Sequence, residues 1–206
     1  MTWYAALIAA IALERLAELV VSRRHLAWAL SRGGREYGFG HYPFMVVLHT
    51  GLLVACLVEA AHRPFIPGLG WSMLAVVLLA QMLRWWCIAT LGPRWNTRII
   101  VIPGLPLVNR GPYRWLRHPN YVAVVVEGLA LPLVHTAWVT ATVFTVANAG
   151  LLRVRIQAEN AAMAQALSEG LTAKTAPPAK TAPPAQNPPP AQNPPVPTPR
   201  PGAAAR

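Results

Sequence analysis

Residues 121–152 read YVAVVVEGLALPLVHTAWVTATVFTVANAGLL and contain a single charged residue, Glu127. A helix needs about 20 mostly apolar residues to span a bilayer, so this stretch is too long for one upright span. Pro132 lies within it, and a proline removes a backbone donor and interrupts a helix. The stretch therefore predicts two membrane helices, from Tyr121 to Leu131 and from Ala137 to Leu152, folded as a hairpin.

Three further apolar segments precede the hairpin: Trp3 to Val21, Phe44 to Ala61, and Trp71 to Leu91. Charged residues interrupt the first segment and no small-residue cleavage site follows it, so we interpret it as a mature helix and not as a signal peptide. Only 12% of the chain is charged, against about 25% in soluble domains. The sequence predicts an all-α integral membrane protein with about five transmembrane helices, the last two forming the hairpin.

The basic residues of the loops predict the orientation. They are concentrated after the first, third and fifth helices: Arg23, Arg24, Arg32, Arg35, Arg94, Arg98, Arg110, Arg114, Arg117, Arg153 and Arg155. The second loop carries only Arg63, and the hairpin tip carries none. Because basic loops stay in the cytoplasm, we expect the N-terminus outside and the C-terminus inside. Sixteen arginines against two lysines indicate a GC-rich bacterial genome, and hence a bacterial inner membrane.

The net charge of +11 is typical of proteins that bind nucleic acid. Here, however, the arginines lie between apolar runs, which favours basic membrane loops and membrane lipids as partners, with no nucleic acid. Cys56 and Cys87 both fall in apolar runs. Their spacing predicts neither a disulfide framework nor a metal site, so we interpret both as small buried apolar side chains.

The chain changes character at about Gly170, where the hexads AKTAPP, AKTAPP, AQNPPP and AQNPPV begin to follow one another. Proline at this density blocks both helix and sheet. We therefore expect a membrane domain over residues 1–169 and a disordered proline-rich tail over residues 170–206. A docking segment for SH3-like partners and a plain solvated tail both remain open.

Polar side chains inside membrane helices are costly and often functional. Six of them fall near the leaflet of the basic loops: Glu14, Arg15, Glu18, Gln81, Arg84 and Glu127. One interpretation is a set of internal ion pairs, with Arg84 matched to a glutamate. The other is a polar cavity that opens on the cytoplasmic side, and the two are compatible.

The connection before the hairpin ends in GPYRWLRHPNY, residues 111–121. Five prolines between Gly92 and Pro119 restrict this loop to stiff, non-helical conformations. An arginine-rich loop that ends at the start of a helix suits an anionic group, and His118 adds a further donor. The residues alone leave an anion or cofactor site and headgroup anchoring as alternatives.

The segment GPYRWLRHPNY, followed by RVRIQAEN at residues 153–160, resembles the isoprenylcysteine carboxyl methyltransferase family. Members of that family are integral-membrane enzymes that use S-adenosylmethionine. The resemblance covers roughly Leu91 to Met163, and the order of parts is the same: apolar helix, loop, Arg-His-Pro-x-Tyr, helical hairpin, then Arg-x-x-x-Glu.

The resemblance implies a set of cofactor-binding residues within 91–163: Tyr113, His118, Pro119, Asn120, Tyr121 and Glu159, together with the short stretch Leu105, Pro106, Leu107 and Val108. Arg155 would face the substrate and act in catalysis. Glu127, one of the polar residues within the membrane helices, is expected to line the lipid-facing half of the substrate cavity. No metal is implied.

The expected reaction is methyl transfer from S-adenosylmethionine to an oxygen of a lipophilic substrate at the cytoplasmic face. A prenylcysteine carboxylate fits this description, and so does the phenol or enol hydroxyl of an alkylresorcinol- or alkylpyrone-type lipid. Two alternatives remain open: an NADPH-dependent enzyme similar to membrane sterol reductases, which share a similar RHPNY stretch, and a non-catalytic membrane scaffold that recruits partners through its tail.

Overall fold

A computed structural model describes residues 1–175, so most of the expected tail, residues 170–206, lies outside the described residues. The described part contains five α-helices: α1 (Thr2–Leu30), α2 (Tyr42–Ala60), α3 (Pro67–Leu91), α4 (Pro119–Leu133) and α5 (Trp138–Thr175). Three segments are long and apolar enough to cross a membrane: Tyr42–Ala60, Pro67–Arg94 and Trp138–Ser168. The prediction of an all-α integral membrane protein is confirmed.

The helical hairpin is confirmed at α4 and α5. Pro132 lies in the last turn of α4, and the chain turns at Thr136, which has a positive φ of 56°. Gly128 allows the two helices to approach closely, because a Cβ at this position would clash with the ring of Phe144. The hairpin is therefore held by close packing as well as by its turn.

Two helices continue well past the apolar segments that predicted them. α1 reaches Leu30 and not Val21, and α5 reaches Thr175 and not Leu152. The continuation of α5 is rich in Ala, Arg, Gln and Glu and has no glycine or proline before Gly170, so its helix propensity stays high. Hydropathy marks where a membrane span ends, whereas propensity marks where the helix ends.

The bundle has two ends, which we name by their connections. The hairpin end carries the α2–α3 loop and the α4–α5 turn; the loop end carries the α1–α2 and α3–α4 connections. The apolar core lies towards the hairpin end and includes Tyr4, Ile8, Cys56, Leu131 and Phe144. Cys87 is buried as well, so the interpretation of both cysteines as buried side chains is confirmed.

A two-stranded ribbon at the loop end is a feature that the sequence did not predict. Strand β1 (Arg35–Tyr37) pairs antiparallel with β2 (Ile99–Val101). Arg98 Nη1 lies 3.0 Å from Glu36 Oε1 and fastens the ribbon beside β2. The ribbon joins the α1–α2 connection to the α3–α4 connection and so holds the long loop before α4 in place.

Candidate functional site

A polar pocket of about 130 Å³ lies at the loop end, between the α3–α4 connection, the first turn of α4 and the middle of α5. Six of the site residues expected from the sequence line it: Tyr113, His118, Asn120, Tyr121, Arg155 and Glu159. They come together because Pro119 opens α4 at its first helical position, where a missing donor costs nothing. Arg155 and Glu159 are four residues apart and share one face of α5.

Tyr121 is the centre of the hydrogen bonds in this pocket. Its hydroxyl donates a short hydrogen bond to Glu159 Oε2 and accepts one from Arg155 Nε at 2.9 Å. The His118 ring stacks on the Tyr121 ring at 5.2 Å, and His118 Nδ1 lies 3.9 Å from Glu159 Oε2. A donor, an acceptor and a ring that can carry a positive charge thus line one small space.

Arg155 is buried, with 7% of its surface exposed. Its Nη2 donates to the Thr97 carbonyl oxygen at 2.7 Å, and its Nη1 lies 3.1 Å from Met45 Sδ. Burial, and then the charge of Arg155, hold the pKa of His41 below its usual value. The guanidinium is therefore a fixed positive charge whose position is set by α2, α4 and the α3–α4 connection.

Tyr113 lies in the α3–α4 connection and also lines the polar pocket. Burial raises the pKa of its hydroxyl, and the neighbouring Cys87 thiol acts in the same direction. The Tyr113 hydroxyl is therefore protonated at neutral pH and serves as a hydrogen-bonding group, not as a base.

An apolar cavity of about 350 Å³ lies next to the polar pocket, between α1, α2 and α5. Most of its exposed wall surface is apolar and comes from side chains such as Leu16, Leu19, Val46, Leu53 and Leu152, although polar and charged residues also line it. Leu16 and Val46 are also exposed on the outer surface of the bundle, where membrane lipid surrounds an integral protein. A cavity of this size and lining suits an apolar chain.

Five residues line both spaces and form what we call the shared wall: Trp95, Asn96, Asn120, Tyr121 and Arg155. Two of its buried polar atoms, Trp95 Nε1 and Asn120 Oδ1, have no hydrogen-bond partner among the residues that the structure describes. Buried polar atoms in proteins are nearly always paired. The shared wall therefore offers one free donor and one free acceptor.

The polar residues of the membrane helices form an ion cluster, as one of the two interpretations predicted. Arg84 Nη2 lies 2.6 Å from Glu127 Oε2, and Arg15 Nη1 lies 2.9 Å from Glu18 Oε2. Gln81 joins Arg15 to Glu14. Arg15, Glu18 and Arg84 also line the apolar cavity, so three residues of the cluster are both ion-paired and cavity-lining; the opening of a polar cavity to the cytoplasmic side stays a prediction.

Several expected site residues lie elsewhere. Glu127 is paired with Arg84 and lines a small cavity of about 20 Å³ that shares wall residues such as Arg15 and Arg84 with the apolar cavity, which Glu127 itself does not line. Leu105 and Leu107 are exposed, and the stretch from Leu105 to Val108 lines neither the polar pocket nor the apolar cavity in the part of the chain described. Pro119 is buried behind the pocket wall. The roles implied for these residues stay predictions.

Sequence reasoning missed Trp95, Asn96 and Ser22. The Ser22 hydroxyl donates to Asn96 Oδ1 at 2.8 Å, and Asn96 Nδ2 donates to the Ser22 carbonyl oxygen at 3.1 Å. These bonds fix the chain directly after α3 against α1. The available signal was the Trp-Asn-Thr triplet after Pro93, whose polar side chains directly follow a membrane helix.

The long apolar helices and the two adjoining cavities define a helical integral-membrane protein with a site at one end of its bundle. Residues 73–165 match the isoprenylcysteine carboxyl methyltransferase (ICMT) family. A relative is the uncharacterized protein YpbQ of Bacillus subtilis (strain 168), which is 39% identical over 158 residues, or 76% of this chain and 94% of YpbQ. The chain belongs to the isoprenylcysteine carboxyl methyltransferase family of membrane methyltransferases. No solved structure matches it.

Proposed function

We propose that this protein transfers a methyl group from S-adenosylmethionine to an oxygen atom of a lipophilic acceptor at the cytoplasmic face of a bacterial inner membrane. The observation that carries the proposal is the shared wall. A polar pocket with charged residues and an apolar cavity meet at the same five side chains. A cofactor with a charged end and an acceptor with an apolar chain would therefore meet there.

The side chains of the polar pocket fit the charged end of the cofactor. Arg117 and His118 supply donors for a carboxylate, and charge-assisted hydrogen bonds of this kind are strong. Glu159 supplies an acceptor for an ammonium group. The volume of about 130 Å³ is below that of a pocket for a whole ligand, so we assign it to the amino-acid end.

The shared wall fits the place where the methyl group of the cofactor and the acceptor oxygen would meet. The cofactor, when bound, supplies a methyl group on a positively charged sulfur. Arg155 is buried at the wall and would stabilise the negative charge on an acceptor oxygen that has released its proton to solvent. This oxygen would take the methyl group as the carbon–sulfur bond breaks, and S-adenosylhomocysteine would leave. The free Trp95 Nε1 and Asn120 Oδ1 atoms would hold the groups in line. Positioning of this kind lowers a barrier by about 7–11 kcal/mol.

Two chemical classes of acceptor fit the apolar cavity: a prenylcysteine carboxylate and the phenol or enol hydroxyl of an alkylresorcinol- or alkylpyrone-type lipid. We favour the hydroxyl of a small bacterial lipid, because the arginine-rich composition indicates a bacterial source. Arg155 would bind a phenolate or enolate as readily as a carboxylate.

Cofactor binding tests the proposal directly. Purified protein is titrated calorimetrically with S-adenosylhomocysteine and, separately, with NADPH. We expect S-adenosylhomocysteine to bind and NADPH not to bind. The control variant Arg114→Ala changes an arginine of the same loop that is exposed and lies outside both cavities, so its affinity stays that of the unmodified protein. Binding of NADPH alone would replace the proposal with a reductase.

The proposed orientation places the polar pocket in the cytoplasm, since the loop end carries the basic connections. It is tested by cysteine accessibility labelling at Ser31 and Gly68, both of which are exposed at opposite ends of the bundle. The native cysteines are buried and give little background. Ser31→Cys is expected to react from the cytoplasmic side and Gly68→Cys from the outside; the reverse pattern would invert the topology.

A further inference from the structure

The connection before α4 is fastened to the end of α3. We call its residues 110–116 the anchor turn; they include a short 3₁₀ helix. A Cβ added at Gly111 would lie 2.6 Å from Thr90 Oγ1 and 3.2 Å from Trp86 Nε1, so the turn packs directly on the last two turns of α3. Arg110 Nη2 also donates to the Thr90 carbonyl oxygen at 3.2 Å. These contacts fix the depth of the anchor turn along a membrane helix.

That depth follows from the length of the membrane span. The span Pro67–Arg94 has 28 residues, which correspond to about 42 Å of helix. A bilayer with its headgroup layers is about 40–45 Å thick, and its hydrocarbon core is about 30 Å thick. Thr90 lies about 6 Å and Trp86 about 12 Å before the end of the span at Arg94. An upright span therefore puts the anchor turn at the boundary between the headgroup layer and the hydrocarbon core.

The apolar side chains of the anchor turn fit this boundary. Trp115 is 69% exposed and Leu116 is 42% exposed. The Trp115 ring contacts the Trp86 ring of α3 at 6.0 Å, and Trp86 is itself exposed. Tryptophan is enriched where headgroups meet the hydrocarbon core, because its ring is apolar and its N–H group is polar. Lipid at this boundary would cover the exposed rings and the leucine side chain.

The charge of the anchor turn defines the kind of lipid. Arg110 and Arg114 are exposed, and no carboxylate pairs with either of them in the part of the chain that the structure describes. Residues 92–118 contain five arginines and no acidic residue. A guanidinium can hold a phosphate through two parallel hydrogen bonds, and each basic residue near a membrane surface raises the affinity for anionic lipid about fivefold. A phospholipid with a net negative charge therefore fits the turn better than a zwitterionic one.

The anchor turn also forms part of the polar pocket. Tyr113 lies between Arg110 and Arg114 and lines this pocket, and His118 follows the turn closely and lines it as well. The Tyr113 hydroxyl neighbours the Cys87 thiol of α3. The position of the turn against the membrane therefore bears on two side chains that face the cofactor in the proposed function.

We propose that the anchor turn is a binding surface for an anionic phospholipid, and that this lipid strengthens cofactor binding in the adjoining pocket. The phosphate lies at Arg110 and Arg114, and Trp115 and Leu116 lie among the acyl chains. The phospholipid is a bound partner and not the methyl acceptor, because the turn lies outside the apolar cavity. The effect on the cofactor rests on the proposed function, whereas the lipid surface does not.

Quenching of tryptophan fluorescence tests the lipid surface, because a brominated acyl chain quenches a tryptophan only at close range. The full-length protein is reconstituted in phosphatidylcholine bilayers with rising fractions of brominated phosphatidylglycerol or, separately, of brominated phosphatidylcholine. The contribution of Trp115 is the difference from the variant Trp115→Phe. We expect phosphatidylglycerol to quench Trp115 at a fraction about 5- to 25-fold lower than phosphatidylcholine, the factor for one or two arginines. Equal quenching by the two lipids, or no quenching of Trp115 by either, would overturn the inference.

Arginine variants assign the preference to the anchor turn. Arg114→Ala is expected to lower the preference for phosphatidylglycerol about fivefold, and the double variant Arg110→Ala, Arg114→Ala is expected to remove it. The matched control is Arg23→Ala with Arg24→Ala, which changes two exposed arginines of α1 at the same end of the bundle and is expected to keep the preference at Trp115. The single variant decides the matter if the double variant does not fold. An unchanged preference in Arg114→Ala would overturn the inference.

Calorimetry with S-adenosylhomocysteine tests the effect on the cofactor. We expect its affinity to be about fivefold or more higher in bilayers that contain phosphatidylglycerol than in phosphatidylcholine alone, and the difference to vanish in the double variant. In detergent without phospholipid, the variants are expected to match the unmodified protein. Equal affinities in the two bilayers would overturn the coupling and leave the lipid surface standing. If S-adenosylhomocysteine binds in neither bilayer, the proposed function fails, whereas the quenching of Trp115 still reports on the anchor turn.

Discussion

The two ends of the bundle use polar residues in opposite ways. At the hairpin end, Glu59 of α2 accepts hydrogen bonds from the backbone nitrogen atoms of Val139 and Thr140 at 3.1 and 2.8 Å, and from the Thr140 hydroxyl at 2.8 Å. The Tyr4 hydroxyl donates to the Leu131 carbonyl oxygen at 2.9 Å. These side chains satisfy the backbone groups that a helix start or a helix end leaves free.

At the loop end, buried polar groups are left over. Trp95 Nε1 and Asn120 Oδ1 at the shared wall have no hydrogen-bond partner among the described residues. His135 Nδ1 and Thr145 Oγ1, towards the hairpin end, also lack a hydrogen-bond partner within the described part of the chain, but they line neither cavity, whereas Trp95 and Asn120 line both. The position of these polar groups beside the cavities distinguishes the loop end. It predicts that substitutions at the loop end change binding and turnover, whereas those at the hairpin end change stability.

The largest effect is expected for Arg155→Ala. Loss of a positive charge that stabilises the reacting oxygen typically lowers turnover by about 100- to 1000-fold, and we expect the affinity for S-adenosylhomocysteine to change much less. Arg153→Ala is the matched control, since Arg153 lies on the same helix and is exposed. Turnover equal to that of the unmodified protein would mean that Arg155 only anchors the helix.

The second-largest effect is expected for the residues assigned to the amino-acid end of the cofactor. His118→Ala and Glu159→Gln are each expected to weaken S-adenosylmethionine binding by about 1–3 kcal/mol, the range for a lost charge-assisted hydrogen bond. Glu127→Gln is the control, because Glu127 pairs with Arg84 and does not line the polar pocket. Calorimetry measures all three. Full affinity in both pocket variants would disprove the cofactor site as we assign it.

A smaller effect, of a different kind, is expected at the hairpin end. Glu59→Ala removes the acceptor at the first turn of α5, and loss of such a cap costs about 0.5–2 kcal/mol of stability. We therefore expect a lower melting temperature in detergent and an unchanged affinity for S-adenosylhomocysteine. A variant that keeps its stability but loses cofactor affinity would show that the hairpin end and the loop end are coupled.

The sequence predicted the hairpin end better than the loop end. The hairpin depends on local features, namely an apolar stretch of known length and Pro132, and both can be read directly from the chain. The ribbon of β1 and β2 has only three residues in each strand, and strands this short form because the connections meet in the folded protein. Local strand propensity therefore does not predict this contact between the two connections.

The residues of the candidate site divide in the same way, into those that the sequence predicts and those that only the fold reveals. The grouping of Tyr113, His118 and Tyr121 follows from one short stretch that resembles a known family, and the structure brings Arg155 and Glu159 to it. Trp95, in contrast, lines the site because Ser22 and Asn96 hold its loop against α1. Such a residue is recognised only after α1 and α3 have been placed side by side.

The smallest effect is expected for removal of residues 172–206. Among the described residues, those that line the polar pocket and the apolar cavity end at Met163, and the segment to be removed is rich in proline and contains no acidic residue, histidine or aromatic residue. Methyl transfer by the truncated protein is therefore expected to match that of the full chain, measured with the same acceptor and at the same protein concentration.

The melting temperature of the truncated protein serves as the control, because it shows whether α5 keeps its place without its last turn. A truncated protein that melts normally but loses most of its turnover would assign the tail a part in binding the acceptor. The loop end would then extend beyond the pocket walls described above.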